Sequence, residues 1–178
     1  LIKGAAQGQI AAFPKVRYVF CGGGKLSETV KTAVRELCPN AAVVEFFGAS
    51  ETSFITLSDD HTPAGSVGRC YQGVRLRIDA PAATPGEIWV ESPFLFDGYE
   101  GGAHKDTRWD RAFLSIGEMG YQDADGNLYL CGRKNRMVTI ADVNVFPEEV
   151  EHCVTQLDGV QDCVVLGVPD PKRGNRLI

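Results

Sequence analysis

Residues 16–51 read VRYVFCGGGKLSETVKTAVRELCPNAAVVEFFGASE, and this stretch decides the fold. Val16 to Phe20 form a short apolar run of strand length, and CGGGKLS (21–27) supplies a turn. Val30, Ala33, Val34 and Leu37 then repeat at i, i+3, i+4 and i+7, which predicts a helix, with Ser27 placed to cap it. Cys38-Pro39-Asn40 breaks that helix, and AVVEFF (42–47) supplies a second strand. Strand, helix and strand in this order spell one β-α-β crossover of an α/β sheet. Glu51 falls just where the second strand gives out, and strand ends are where open sheets place ligands.

Downstream the period changes. Val74, Leu76 and Ile78 alternate with polar residues, as do Ile88 and Val90, and GYQDADGNLYLCGR (120–133) places a turn between two short strands. This predicts a smaller antiparallel, barrel-like region. Beyond a basic cluster come MVTI (137–140), a helix in FPEEVEHCVTQL (146–157) with Pro147 near its start, and a strand in VQDCVVLGV (160–168). The β-β-α-β order after the basic cluster suggests a second domain beginning near residue 136.

The chain has 178 residues, is 44% hydrophobic and carries a net charge of −5. It can bury a substantial core, and without a basic block it offers no footprint for a nucleic-acid backbone. No apolar run approaches the roughly 20 residues that span a bilayer, and LIKGAAQGQI lacks the features of a signal peptide. A cytoplasmic protein without a transmembrane segment is expected. Six cysteines without a C-x-x-C pair read as free thiols.

Taken singly, the local motifs are weak. The glycine run fails as a phosphate loop of the G-x-x-x-x-G-K-[ST] type, because position 19 is Val and Leu26 follows Lys25. DADGN (123–127) places its glycine fourth where a calcium loop needs it sixth, so it reads as a hairpin turn. His61, His104 and His152 form no triad pattern and read as structural or solvent-facing.

Read in order, however, CGGGKLS, FGASE, GSVGR, GEIWVESPFLFDGY, FLSIGEMGYQDADGNLYLCGRKNR and DVNVFPEEVE resemble the adenylate-forming superfamily of acyl- and aryl-CoA synthetases, peptide-synthetase adenylation domains and luciferases. The resemblance runs from about residue 13 to residue 178. It implies that residues 1–134 are the C-terminal part of a large adenylating domain and that 135–178 are a hinge and the beginning of a small α+β domain. It also implies an enzyme that activates a carboxylic acid with ATP to an acyl-adenylate and passes the acyl group to a thiol, with its small domain rotating between the two steps. By this resemblance Glu51 would hold Mg²⁺ and Ser50 would contact phosphate, both as catalytic residues. Gly22, Gly23 and Gly24 would lie beside the adenine and acyl pocket. Phe47 would stack on adenine with Gly48 next to it, Glu118 would accept from the ribose hydroxyls, Arg133 would contact the nucleotide and Asn135 would be the hinge.

The same resemblance marks departures. Phe47 replaces a tyrosine, Glu118 an aspartate, and Asn135 a charged hinge residue, while Ala141 and Asp142 stand where the ligases carry two glycines beside the pantetheine path. Neither the upstream Ser/Thr/Gly-rich phosphate loop nor the C-terminal catalytic lysine is matched, since Lys134 and Lys172 lie in other motifs. The chain therefore reads as a fragment that cannot complete adenylation alone. CoA is the expected acceptor. A carrier-protein thiol, and a nucleotide-binding homologue that no longer turns over, are the alternatives.

Overall fold

The computed structural model describes residues 11–23, 26, 28–102, 104–157 and 159–178. Strand β1 (Tyr18–Cys21), helix α1 (Glu28–Leu37) and strand β2 (Ala42–Ala49) form the expected crossover, with β1 and β2 parallel and Tyr18 opposite Ala42. The fold is α/β. Strands β3 (Ser53–Ser58) and β4 (Arg69–Cys70) extend the sheet antiparallel in the order β1-β2-β3-β4. Gly24, Lys25 and Ser27, including the expected cap, lie outside the described residues.

Strands β5 (Arg75–Ile78), β6 (Gly86–Glu91), β7 (Arg108–Asp110), β8 (Phe113–Ser115), β9 (Glu118–Gln122) and β10 (Leu128–Arg133) make the expected antiparallel sheet. Strand β6 is its centre, pairing with β5 on one edge and with both β8 and β9 on the other. The period-2 pattern predicts a half-buried β6, yet Glu87 and Trp89 are buried along with Ile88 and Val90. Ile55 from the first sheet packs with Val74, Ile88, Val90 and Leu128, and Phe47 packs against them, so the two sheets share one core. Backbone bonds from Val67 N–H to the Leu128 carbonyl (2.8 Å) and from Leu128 N–H to the Gly68 carbonyl (2.8 Å) stitch them together.

The DADGN turn is held by Asp123, whose carboxylate accepts from the backbone N–H groups of Asp125 (3.0 Å) and Asn127 (2.8 Å) and from the Asn127 amide. Beyond β10, β11 (Val138–Ile140) and β12 (Val143–Val145) form a hairpin, α2 (Pro147–Val154) follows, and β13 (Gly167–Asp170) pairs with β14 (Gly174–Leu177). Helix α2 has proline in its first turn and Glu148 and Glu149 beside its positive end. The expected strand over 160–168 forms only from Gly167. A strand needs a partner, and among the described residues β14 reaches back only to Leu166, whose N–H and C=O pair with Ile178.

Candidate functional site

Between β2 and β3 the chain turns tightly over Ala49–Thr52. Register slips by one residue between Phe47 and Gly48, and a side chain at Gly48 would meet the Ser53 carbonyl oxygen at 1.8 Å, so only glycine fits. Thr52 is fully buried, its hydroxyl accepting from the Ala49 N–H (3.0 Å) and its own N–H donating to the Ala49 carbonyl (3.2 Å). The Phe96 N–H donates to the Glu51 carbonyl at 2.9 Å. Glu51 therefore stands on fixed backbone at the carboxyl end of a parallel strand, and its carboxylate accepts a hydrogen bond from the Tyr99 hydroxyl.

Glu51 faces a cleft of about 610 Å³ that is also lined by Tyr99, His104, Lys105, Asp106, Thr107, Arg108, Ile116, Gly117, Arg133, Lys134 and Asn135. Four cationic side chains, Lys105, Arg108, Arg133 and Lys134, thus share this lining with Glu51 and Asp106. Tyr99 ties several of these groups together: its ring lies 4.9 Å from that of Phe96 and 5.9 Å from that of His104, and its hydroxyl is 3.2 Å from the Thr107 hydroxyl. Among the described residues no group of three His, Cys, Asp or Glu side chains could hold a metal alone. Glu51 and Asp106 both line the cleft, and this lining fits Mg²⁺, a hard ion that takes one or two protein carboxylates plus phosphate oxygens.

The cleft unites Glu51, Arg133 and Asn135 from the sequence reading. Phe47 instead packs half-buried against the core, Ser50 is exposed in the turn, and Gly22, Gly23 and Gly48 lie outside the lining. Gly22 sits under the Phe46 ring, where a Cβ would meet the ring at 2.2 Å, and Gly23 has φ +87°. Gly24 is outside the described residues. Glu118 is mostly buried beside the cleft and accepts from Arg133 Nε at 3.1 Å. Burial raises its carboxyl above the ordinary range, Arg133 opposes that shift, and Glu148 adds to it.

Four residues of the site were not assigned to it in the sequence. Tyr99 and Arg108 lie in a loop and a short strand with no periodic signal. His104, read as structural or solvent-facing, lines the cleft. Glu87 looked like the polar side of an alternating strand, yet its carboxylate is 7% exposed and accepts from Ser115 Oγ (2.6 Å), Lys134 Nζ (2.9 Å) and the Arg108 guanidinium. Burial alone would raise it, but these three hydrogen bonds outweigh burial and hold it down to about 2. The signal available was a glutamate inside the otherwise apolar run GEIWV.

A strand-end carboxylate beside a cation-lined cleft marks an α/β protein with a candidate anion site. Comparison with known proteins narrows this: the AMP-binding enzyme family matches residues 2–100, and the chain belongs to that family. It is 34% identical over 176 residues to the uncharacterized acyl–CoA ligase YhfT of Bacillus subtilis (strain 168), covering 93% of this chain and 36% of that protein. Among solved structures, it resembles o-succinylbenzoate CoA synthetase from Bacillus subtilis in complex with the acyl-adenylate intermediate OSB-AMP, with TM-score 0.81 over 98% of this chain and 38% of that one. At 22% identity, that likeness concerns the fold. It also resembles the amide bond synthetase McbA from Marinactinospora thermotolerans, with TM-score 0.76 and 30% identity over 90% of this chain and 35% of that one. The chain thus spans little more than a third of the length of these relatives. No helix among the described residues is long and apolar enough to cross a membrane.

Proposed function

We propose that this chain forms part of the nucleotide site of an AMP-forming acid:CoA ligase, a cytoplasmic enzyme that activates a carboxylic acid with ATP and transfers the acyl group to CoA. The observation that carries the proposal is Glu51, held on rigid backbone by Thr52 and Phe96 and oriented by Tyr99 in a cleft also lined by Arg108, Arg133 and Lys134. The substrate carboxylate would attack the α-phosphorus of ATP, forming the P–O bond of the acyl-adenylate as pyrophosphate leaves. Negative charge moves onto the leaving group in this step, and fixed cations placed beforehand stabilise it without reorganising. Glu51 would hold Mg²⁺, which when bound offsets charge on the phosphate oxygens. Glu118, kept available as an acceptor by its pairing with Arg133, would receive the ribose hydroxyls, and Ser50 would contact phosphate. Phe47 and Gly48 would shape the turn beneath the adenine, with Gly22 to Gly24 beside it.

Residues 1–134 would belong to the large nucleotide-binding domain and 135–178 to the start of the small one, which rotates about Asn135 between adenylation and transfer. Lys134 bonds to Gly117 and Arg136 to Glu151 on α2, while the Arg133 N–H also donates to Glu148 of α2 at 3.3 Å, which supports a boundary within residues 133–136. A second reading concerns the acceptor. Ala141 and Asp142 occupy the β11–β12 turn where ligases carry glycines, and the relative McbA is an amide bond synthetase, so an amine or a carrier-protein thiol could replace CoA.

The test is acid-dependent exchange of pyrophosphate into ATP, with Mg²⁺ and a panel of aliphatic and aromatic acids, on the intact polypeptide carrying this chain. Exchange with one acid class that collapses in Glu51→Ala is expected. ATP binding without exchange for any acid would overturn the proposal in favour of a nucleotide-binding homologue that no longer turns over.

A further inference from the structure

The carboxylate of Glu87 is buried on the central strand β6, yet it holds two side chains that reach the cleft, Arg108 and Lys134. A buried charge persists only where partners compensate its lost hydration, and here Ser115, Lys134 and Arg108 do so. Arg108 is held a second time, with its guanidinium 5.3 Å from the centre of the Trp89 ring.

Lys134 is also held twice. Its N–H donates to the Gly117 carbonyl at 2.8 Å and its ammonium to Glu87 Oε2 at 2.9 Å. One residue later the attachments change. The Asn135 amide makes an exposed contact with Asp106 (3.1 Å), and Arg136 reaches Glu151 at 2.6 and 3.2 Å and Glu148 at 3.3 Å, both on α2. Apart from one long contact, in which the Arg133 N–H donates to Glu148 on α2 at 3.3 Å, the anchors on the two sides of Asn135 belong to different parts of the fold and flank a single weakly held residue.

We propose that Glu87 is a positioning residue for the linker: by gripping Lys134 it holds the backbone still up to that residue and leaves Asn135 as the point where the chain turns. The inference deepens the proposed function, because a fixed pivot returns the small domain to the same cleft geometry in each cycle. The grip itself is independent of whether the cleft binds ATP.

Hydrogen–deuterium exchange on the intact polypeptide, resolved over residues 130–138, tests the grip directly. In Glu87→Gln and in Lys134→Met the Lys134 amide is expected to exchange about tenfold faster, the loss of one charge-assisted bond, while in Lys134→Met Ile88 and Val90 in β6 keep their protection. Lys134→Arg, which retains a cation, is expected to restore slow exchange. Lys134 is half exposed, so replacing it leaves the core intact even where Glu87→Gln loosens the strand. Unchanged exchange at Lys134 in both variants would overturn the inference, as would equal loosening of β6 in Lys134→Met. Pyrophosphate exchange by the unmodified polypeptide, run in parallel, reports on the proposed function alone, so failure of either idea is seen separately.

Discussion

Replacing Glu87 by glutamine should destabilise the protein in a pH-dependent manner. Glutamine mimics the protonated side chain, so the comparison isolates what ionisation contributes. The folded carboxyl titrates at about 2 against an ordinary value of 4.5. At roughly 1.4 kcal/mol per pH unit, that gap corresponds to about 3 kcal/mol in favour of the ionised form in the folded state. Because the folded pKa is depressed, the contribution is complete above pH 4.5 and disappears as pH falls towards about 2. The whole folding free energy of a domain is only about 5–15 kcal/mol, so the difference is large enough to measure. Urea denaturation followed by tryptophan fluorescence suits the question, since Trp89 lies beside Arg108 and urea, unlike guanidinium, does not screen charge. Carboxylates elsewhere titrate alike in both proteins and cancel. The expected result is a stability gap of about 3 kcal/mol at pH 7 that closes between pH 4.5 and 2. A gap equally wide at both ends of that range would refute the reasoning, because it would reflect lost packing and not ionisation.

Three further outcomes follow from local geometry. Ala141 and Asp142 form the two-residue β11–β12 turn with φ of +45° and +70°, so Ala141→Gly should stabilise the protein by about 1 kcal/mol, read as a higher urea midpoint, and a lower midpoint would contradict the strain. Gly48→Ala forces a methyl group to within 1.8 Å of the Ser53 carbonyl and should cost about 3 kcal/mol by thermal melting, whereas a neutral substitution would show that the turn can open. Tyr99→Phe keeps the ring against Phe96 but removes the hydroxyl bonded to Glu51. The Mg²⁺ concentration giving half-maximal pyrophosphate exchange should rise about tenfold, and an unchanged Mg²⁺ requirement would remove Tyr99 from the site.

The β-α-β crossover was legible because its evidence is local: the helical face from Val30 to Leu37 and the run before Glu51 each carry their own period. The hairpin around Asp123 was legible for the same reason. What escaped was long-range. Glu87 meets Lys134 across 47 positions and Tyr99 meets Glu51 across 48, and no window of sequence holds both partners. An alternating strand with a glutamate reads as half-exposed until the cations that compensate its burial are known. The expected strand over 160–168 failed in the opposite sense, since its apolar residues satisfy a local pattern while pairing partners meet it only from Leu166 onward.

The departures from the family pattern sort by position once the fold is known. Towards the proposed nucleotide end, Glu118 keeps a carboxylate and is paired with Arg133, while Phe47 keeps an aromatic ring that contributes to the shared core. Those changes conserve chemistry. At the tip of the β11–β12 hairpin the opposite holds: glycine would relieve both positive φ angles, and the chain instead carries a methyl group and a carboxylate there. Holding a strained turn with a charge at its tip makes sense if the residue at that tip acts on something the glycine pair would not select. Under the second reading of the acceptor, Ala141 and Asp142 would bear on acyl transfer and leave acid activation unchanged. Comparing CoA, carrier-protein thiols and amines as acceptors of one preformed acyl-adenylate, with the native chain and with Asp142→Gly, puts that asymmetry to the test. A preference for CoA that is the same in both would locate the divergence elsewhere.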